Sequence, residues 1–186
     1  MRVAVSLRTY GIVQRGAERY VGLVIDGLRK RGHRIDLFSE GSGQDIVTIR
    51  SYESWKNFLS LYSKIIDNSL LSNILYAKFG VTVQSSYIRN FLFQREFYKR
   101  LIYRRLNYDL IWQNDGILFG KWLINRFKRV KNIPIVITDH GGQSSALVHI
   151  RTRPDAIVYY TRFAMDKYCA KLKDIKATVI PGCVDI

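Results

Sequence analysis

The first forty residues run strand, glycine-bearing loop, helix, strand, and few folds accept that order. Residues 3–7 form an apolar run, the polar loop 8–15 follows, and Gly16 opens a segment of different period. There Ala17, Tyr20, Val21, Val24, Ile25 and Leu28 recur at the i, i+3, i+4 spacing of one helix face, with Glu18, Arg19, Asp26, Arg29 and Lys30 on the other. Glu18 suits the positive start of such a helix, and the basic run Arg29, Lys30, Arg31 suits its negative end. Gly32 fits a left-handed cap, and a second apolar run occupies residues 35–38. This is a βαβ unit. In open α/β sheets the junction between strand and crossover helix faces the ligand, and the helix start attracts anions.

The alternation continues along the chain. A Gly/Ser-rich loop at 39–44 precedes a short strand at 46–49. Residues 51–106 read as helical, with breaks near Asn68 and at 80–82. Further strands are expected at 110–113, 135–138, 156–160 and 178–180, separated by helices at 116–130 and 162–172. The pattern predicts a single Rossmann-like α/β domain over residues 1–186. Its sheet is doubly wound and mostly parallel, with helices on both faces. The switch point falls between the first strand and the strand at 110–113.

The charge is one-sided: 30 Lys and Arg against 15 Asp and Glu, a formal +15. Such a balance favours anionic partners, whether phosphate groups, nucleic acid or an acidic membrane surface. Cys169 and Cys183 are the only cysteines. They make neither a disulfide framework nor a metal-ligand set, which fits a reducing, cytoplasmic compartment. The N-terminal apolar run is too short for a signal peptide. No stretch reaches the roughly 18 apolar residues of a membrane span, so any membrane contact is expected to be peripheral. The dinucleotide pattern G-x-G-x-x-G is absent, which counts against a dinucleotide cofactor.

The loops leaving the two central strands should share one crevice. The first supplies Thr9, Tyr10, Gly11, Arg15 and Gly16; the second supplies Asn114, Asp115 and Gly116. The next strand ends in Thr138-Asp139-His140-Gly141-Gly142 and brings His140 to the same place. Gly16 has two readings: a small residue where helix packs on strand, or a gap through which a phosphate approaches the helix start. His140 is either bonded to a neighbouring carbonyl or a donor to a sugar hydroxyl or leaving phosphate. Asn114 and Asp115 suit a hydroxylated ligand, yet Asp115 equally suits the cap of the following helix. His33 and His149 read as surface residues. Three scattered histidines without an i, i+4 pair predict no metal site.

Residues 87–106 interleave basic and aromatic side chains. Wound as a helix, Ile88, Phe91, Tyr98, Leu101 and Ile102 form one apolar face. Arg89, Arg100 and Arg104 lie opposite, with Phe93 and Tyr103 among them. Together with the basic run 121–131, this suits an anionic membrane interface, a nucleic acid, or a solvated outer face.

After the first strand and its loop, the chain reads RGAERYVGLVIDGLRKRGHRIDLFS, then ITDHGG, then DAIVYYTRFAMDKY, then TVIPGCVDI. In that order these segments resemble the N-terminal half of a GT-B glycosyltransferase of family 4, over residues 3–185. In that family the first helix usually opens with two glycines, a small residue and an acid. Here Arg15 replaces the first glycine, while Gly16, Ala17 and Glu18 match. Gly32 and His33 match the family's Gly-His pair after the helix, and His140 matches its histidine after a central strand. The family's Pro-Asn-Gly-Val-Asp becomes Pro181, Gly182, Cys183, Val184 and Asp185. The resemblance implies the acceptor-side domain of a retaining hexosyltransferase that uses a nucleotide-sugar donor and no metal or other cofactor. It implies that a C-terminal donor-binding domain completes the enzyme and that this half alone is inactive. Gly16 and Ala17 would meet the donor diphosphate, His140 would stabilise the transition state, and Tyr10, Asn114 and Asp115 would lie on the acceptor side. The acceptor would be a sugar or a lipid-linked molecule at the cytoplasmic membrane face, with Arg89, Arg100 and Arg104 toward the surface. The alternatives are a basic nucleic-acid-binding α/β module and a dinucleotide-binding domain.

Overall fold

A computed structural model describes residues 1–51, 55–57, 60–61, 85–104, 106–114, 120–139, 153–169 and 175–180. The chain begins with β1 (Arg2–Ser6), α1 (Gly16–Lys30), β2 (Arg34–Ser39) and β3 (Ile46–Thr48). After α2 (Ser85–Tyr103) come β4 (Leu110–Gln113), α3 (Gly120–Lys128) and β5 (Ile135–Asp139). The order closes with β6 (Ala156–Tyr159), α4 (Arg162–Cys169) and β7 (Lys176–Val179). The strands form one sheet in the order β3-β2-β1-β4-β5-β6-β7, and every pairing is parallel.

Parallel strands are covered on both faces, so their sequences run apolar without a polar side. Val3, Val5, Ile35, Leu37 and Trp112 face α1 and pack on Tyr20, Val21 and Ile25. Ala4, Phe38, Ile111, Ile135 and Ile137 face the other way, onto Phe93, Phe97 and Leu101 of α2 and Ile124 and Phe127 of α3. The chain thus winds one way from β1 through α1 and the other way from β4 through α3. That is the doubly wound arrangement expected from the sequence.

α1 ends as its sequence indicates. Gly32 takes φ 80°, its N–H bonds the Arg29 carbonyl at 2.9 Å, and the His33 N–H reaches the Leu28 carbonyl at 3.1 Å. This pair of bonds is a Schellman cap, which favours glycine at the left-handed position. His33 is half-buried rather than a free surface residue.

Three further expectations change. The last strand begins two residues before the expected 178, because Ala156 pairs with Lys176 and sets the register. Glu18 lies inside rather than on the polar face of α1. On α2 the buried arc is turned by roughly a quarter of the circumference from the expected one. Phe93 and Phe97 sit fully inside, and Phe97 meets Phe38 edge-on at 5.0 Å. Burying each such ring contributes roughly 1.5–3 kcal/mol, which outweighs the half-buried Ile88 and Phe91 in orienting the helix. The breaks expected near Asn68 and at 80–82 lie outside the described residues. So do the starting residues of the helix expected at 116 and the end of the one expected to reach 172.

Candidate functional site

β1 and β4 are neighbours, but the chain leaves β1 toward β2 and reaches β4 only after α2. Crossovers diverge there, and a crevice opens at the carboxyl ends of the two strands. The floor is polar and closed. The Gln94 amide of α2 donates to the Ser6 hydroxyl at 2.9 Å, and the Tyr98 hydroxyl donates to Gln113 Oε1 at 2.7 Å. The Asn114 N–H donates to the Ser6 carbonyl at 2.9 Å.

The loop from β1 to α1 is clamped from outside by the loop after β2. The buried Ser39 hydroxyl lies 2.8 Å from the Arg8 carbonyl and 2.6 Å from the Tyr10 carbonyl, and it accepts the Gly41 N–H at 3.0 Å. Gly41 passes so close that a Cβ there would stand 2.2 Å from the Tyr10 carbonyl oxygen. Arg8 bonds Asn90 of α2 and pairs with Glu40 at 3.1 Å, and Glu40 in turn accepts from Ser51 at 2.7 Å.

From inside, the same loop is held by Glu18, which is only 7% exposed. One carboxylate oxygen accepts the Thr9 hydroxyl at 2.6 Å, and the other accepts the Arg15 N–H at 3.1 Å. The second contact is half of a capping box, with the acid three residues into the helix reaching back to the cap. Arg15 carries no acceptor, so the reciprocal half is missing. The Arg15 side chain therefore offers no acceptor to the other N–H groups at the head of α1, the end of a helix that attracts anions.

Gly16 sits at that head. Its φ is not left-handed, unlike those of Gly11 and Gly32, and a Cβ built on it meets nothing within 4 Å. Helix-on-strand packing therefore does not require this glycine. It borders a cleft of about 700 Å³ lined by Tyr10, Gln14, Arg15, Arg19 and Asp26. Tyr10 is half-buried, and its hydroxyl lies over Gly22, where a Cβ would approach to 3.0 Å.

On the far side of α1, Tyr20 packs edge-on against Trp112 at 6.5 Å and Tyr160 at 4.7 Å. The Trp112 indole N–H donates to Thr138 Oγ1 at 2.7 Å. Asp139 closes β5 with 2% of its surface exposed, immediately before His140. Burial, followed by the neighbouring Tyr20, Asp139 and Glu18, pushes the Tyr160 phenol well above its ordinary value.

Of the residues singled out from sequence, Gly16 is exposed, Ala17 half-buried and Asn114 buried, 3% exposed. Asp115, Gly116, His140, His149 and residues 181–185 lie outside the described residues. Arg104 is exposed, whereas Arg89 and Arg100 are half-buried, and an Arg100 guanidinium N–H donates to the Thr48 carbonyl at 3.0 Å. Sequence reasoning missed the clamp made by Ser39 and Gly41, and the inward turn of Glu18. The signal for Glu18 was its place three residues into the helix. Ser39 and Gly41 gave none beyond a generic Gly/Ser loop. Among the described residues, no cluster of three or more His, Cys, Asp or Glu side chains could hold a metal.

A doubly wound parallel sheet with a crevice at its switch point defines a class: α/β domains that take their ligands at the carboxyl ends of the strands. The family model for Glycosyltransferase Family 4 matches residues 14–186. The chain belongs to that family and has the architecture of the N-terminal domain of a GT-B glycosyltransferase. Its general substrates are accordingly a sugar donor and an acceptor. A comparison with curated proteins gives no match.

Proposed function

We propose that this is the acceptor-side domain of a retaining hexosyltransferase that takes a nucleotide-sugar donor. The observation that carries the reading is Gly16, a glycine at the head of α1 that the fold does not need and that opens on a cleft. A donor diphosphate beside it would meet the N–H groups of the helix start and the positive end of the helix dipole. Arg15 and Arg19 line the same cleft and add charge. His140 follows the end of β5 and would stabilise charge developing at the reacting sugar. Tyr10, Asn114 and Asp115 would stand on the acceptor side. The basic, aromatic α2 fits a lipid-linked acceptor presented at the cytoplasmic face of a membrane. No metal is assigned a role.

The test is transfer and donor hydrolysis by the full-length protein with a panel of UDP-, GDP- and ADP-sugars, His140→Ala alongside. One nucleotide should be preferred, and the variant should lose about a hundredfold or more in kcat with little change in donor KM. A His140→Ala enzyme that turns over like the parent would remove that histidine from the chemistry. Inversion at the anomeric carbon would remove the retaining course.

A further inference from the structure

α2 and α3 enclose a groove of about 320 Å³ that shares only Tyr98 with the site above. Its floor is apolar, made by the buried Tyr98, Leu123 and Phe127. Its rim is cationic and aromatic. Arg95 and Lys99 stand on one side, Arg126 on the other, and the Arg126 guanidinium lies 5.5 Å over the Trp122 ring. Trp122 is 53% exposed and Tyr103 71%, unusual for side chains this large. Glu96 is the only acid on either helix, 3.5 Å from Lys99. No helix among the described residues is long and apolar enough to cross a membrane.

We propose that this groove is the face on which the protein sits against an anionic phospholipid bilayer. Headgroup phosphates lie between Arg95, Lys99 and Arg126. Trp122 and Tyr103 enter the interfacial layer, where an aromatic ring with a polar edge is favoured. The long basic side chains keep their charges at phosphate level while their stems cover the apolar floor. The exposed apolar side chains of the rim are what favour lipid over nucleic acid. A phosphodiester backbone would use the cations and leave Trp122 and Val130, 53% and 58% exposed, without an apolar partner, whereas glycerol and proximal acyl carbons would cover them. The surface is shifted from the one expected from sequence: Arg104 is exposed as expected, Arg89 and Arg100 are half-buried, and Arg95 and Lys99 are exposed. The inference borrows its purpose from the membrane-acceptor reading above, but its physics stands on the groove.

Flotation of the full chain with vesicles of phosphatidylcholine alone, and of phosphatidylcholine with phosphatidylglycerol, tests it. The protein should rise with the acidic vesicles only, and less as salt increases. Lys99→Glu with Arg126→Glu should weaken binding about tenfold or more at an unchanged thermal melt. If the reversals impair folding, Lys99→Gln with Arg126→Gln should give the same direction. Tryptophan emission should shift to the blue on binding, and Trp122→Phe should remove the shift. Equal recovery with neutral vesicles would overturn the proposal. So would charge variants that bind like the parent, or a preference for a single-stranded RNA oligomer over acidic vesicles. Donor titration of the same preparations separates the two readings. Donor binding without vesicle binding rejects this surface and leaves the donor role of Gly16 in place. Vesicle binding without donor binding rejects that role and leaves this surface in place.

Discussion

Two glycines border the same corner of the molecule for opposite reasons. Gly41 lies against the backbone of the β1–α1 loop, and a Cβ there would stand 2.2 Å from the Tyr10 carbonyl oxygen. Gly16, at the other end of that loop, has nothing within 4 Å of where a Cβ would be. The fold demands the first glycine and is indifferent to the second. The corner thus combines a rigid support, the clamp of Ser39, Gly41 and Glu18, with an open mouth at Gly16.

The difference can be broken from its rigid side first. Gly41→Ala should cost about 3 kcal/mol or more, because the obstacle is backbone rather than a flexible side chain. For a chain of this size that is a fall in Tm of roughly 10 °C by calorimetry. A melt unchanged by Gly41→Ala would mean that the two loops are not held as described. Glu18→Gln should have a smaller effect, about 1–3 kcal/mol by urea unfolding. The amide oxygen can keep the Arg15 N–H, but the amide N–H then faces the Thr9 hydroxyl, which must turn from donor to acceptor, and both bonds lose their charge assistance. A Glu18→Gln protein as stable as the parent would show that the inner brace is dispensable.

The opposite ends of the same strands provide a pH control of lesser size. Burial alone would raise the Asp36 carboxyl. Hydrogen bonds from Tyr108 and Arg2, with the charges of Arg2 and Arg34, outweigh that and hold it below the usual carboxylate range. A lowered folded-state value means that this stabilisation is complete above the unfolded carboxylate value of about 4. It fades as pH falls through the still lower folded value. Urea midpoints measured on acidification should therefore drop less steeply in Asp36→Asn than in the parent. Equal slopes would show that Asp36 contributes nothing. The effect is modest because Arg2 and Asp36 are both partly exposed.

α1 and α2 show what was legible in the sequence and why. α1 packs on the sheet along one stripe, so the period of Tyr20, Val21 and Ile25 indicated its buried face, and Gly32 marked its end. Glu18 broke that pattern because its partners, Thr9 and Arg15, come from a loop whose path no periodicity encodes. α2 is enclosed more widely, by the sheet through Phe93 and Phe97, by α3 through Tyr98 and Phe127, and by polar contacts from Gln94 and Arg100. A helix buried on several sides carries no single stripe, and winding alone put Phe93 on the wrong side. The strands were readable because a parallel sheet buries both faces, so each one is a short apolar run. The crevice followed from strand order. Its clamp depends on a close approach between two loops, which only the three-dimensional path reveals.

The most direct test of the open corner is Gly16→Ala in the full-length protein, with donor KM and thermal stability measured on the same preparation. The added methyl meets no neighbour in the protein, so stability should stay within about 0.5 kcal/mol of the parent. The donor KM should rise about tenfold or more, because the methyl occupies the approach to the helix start. An unchanged KM, or a loss of stability comparable with that of Gly41→Ala, would contradict the assignment of Gly16 to the donor phosphate.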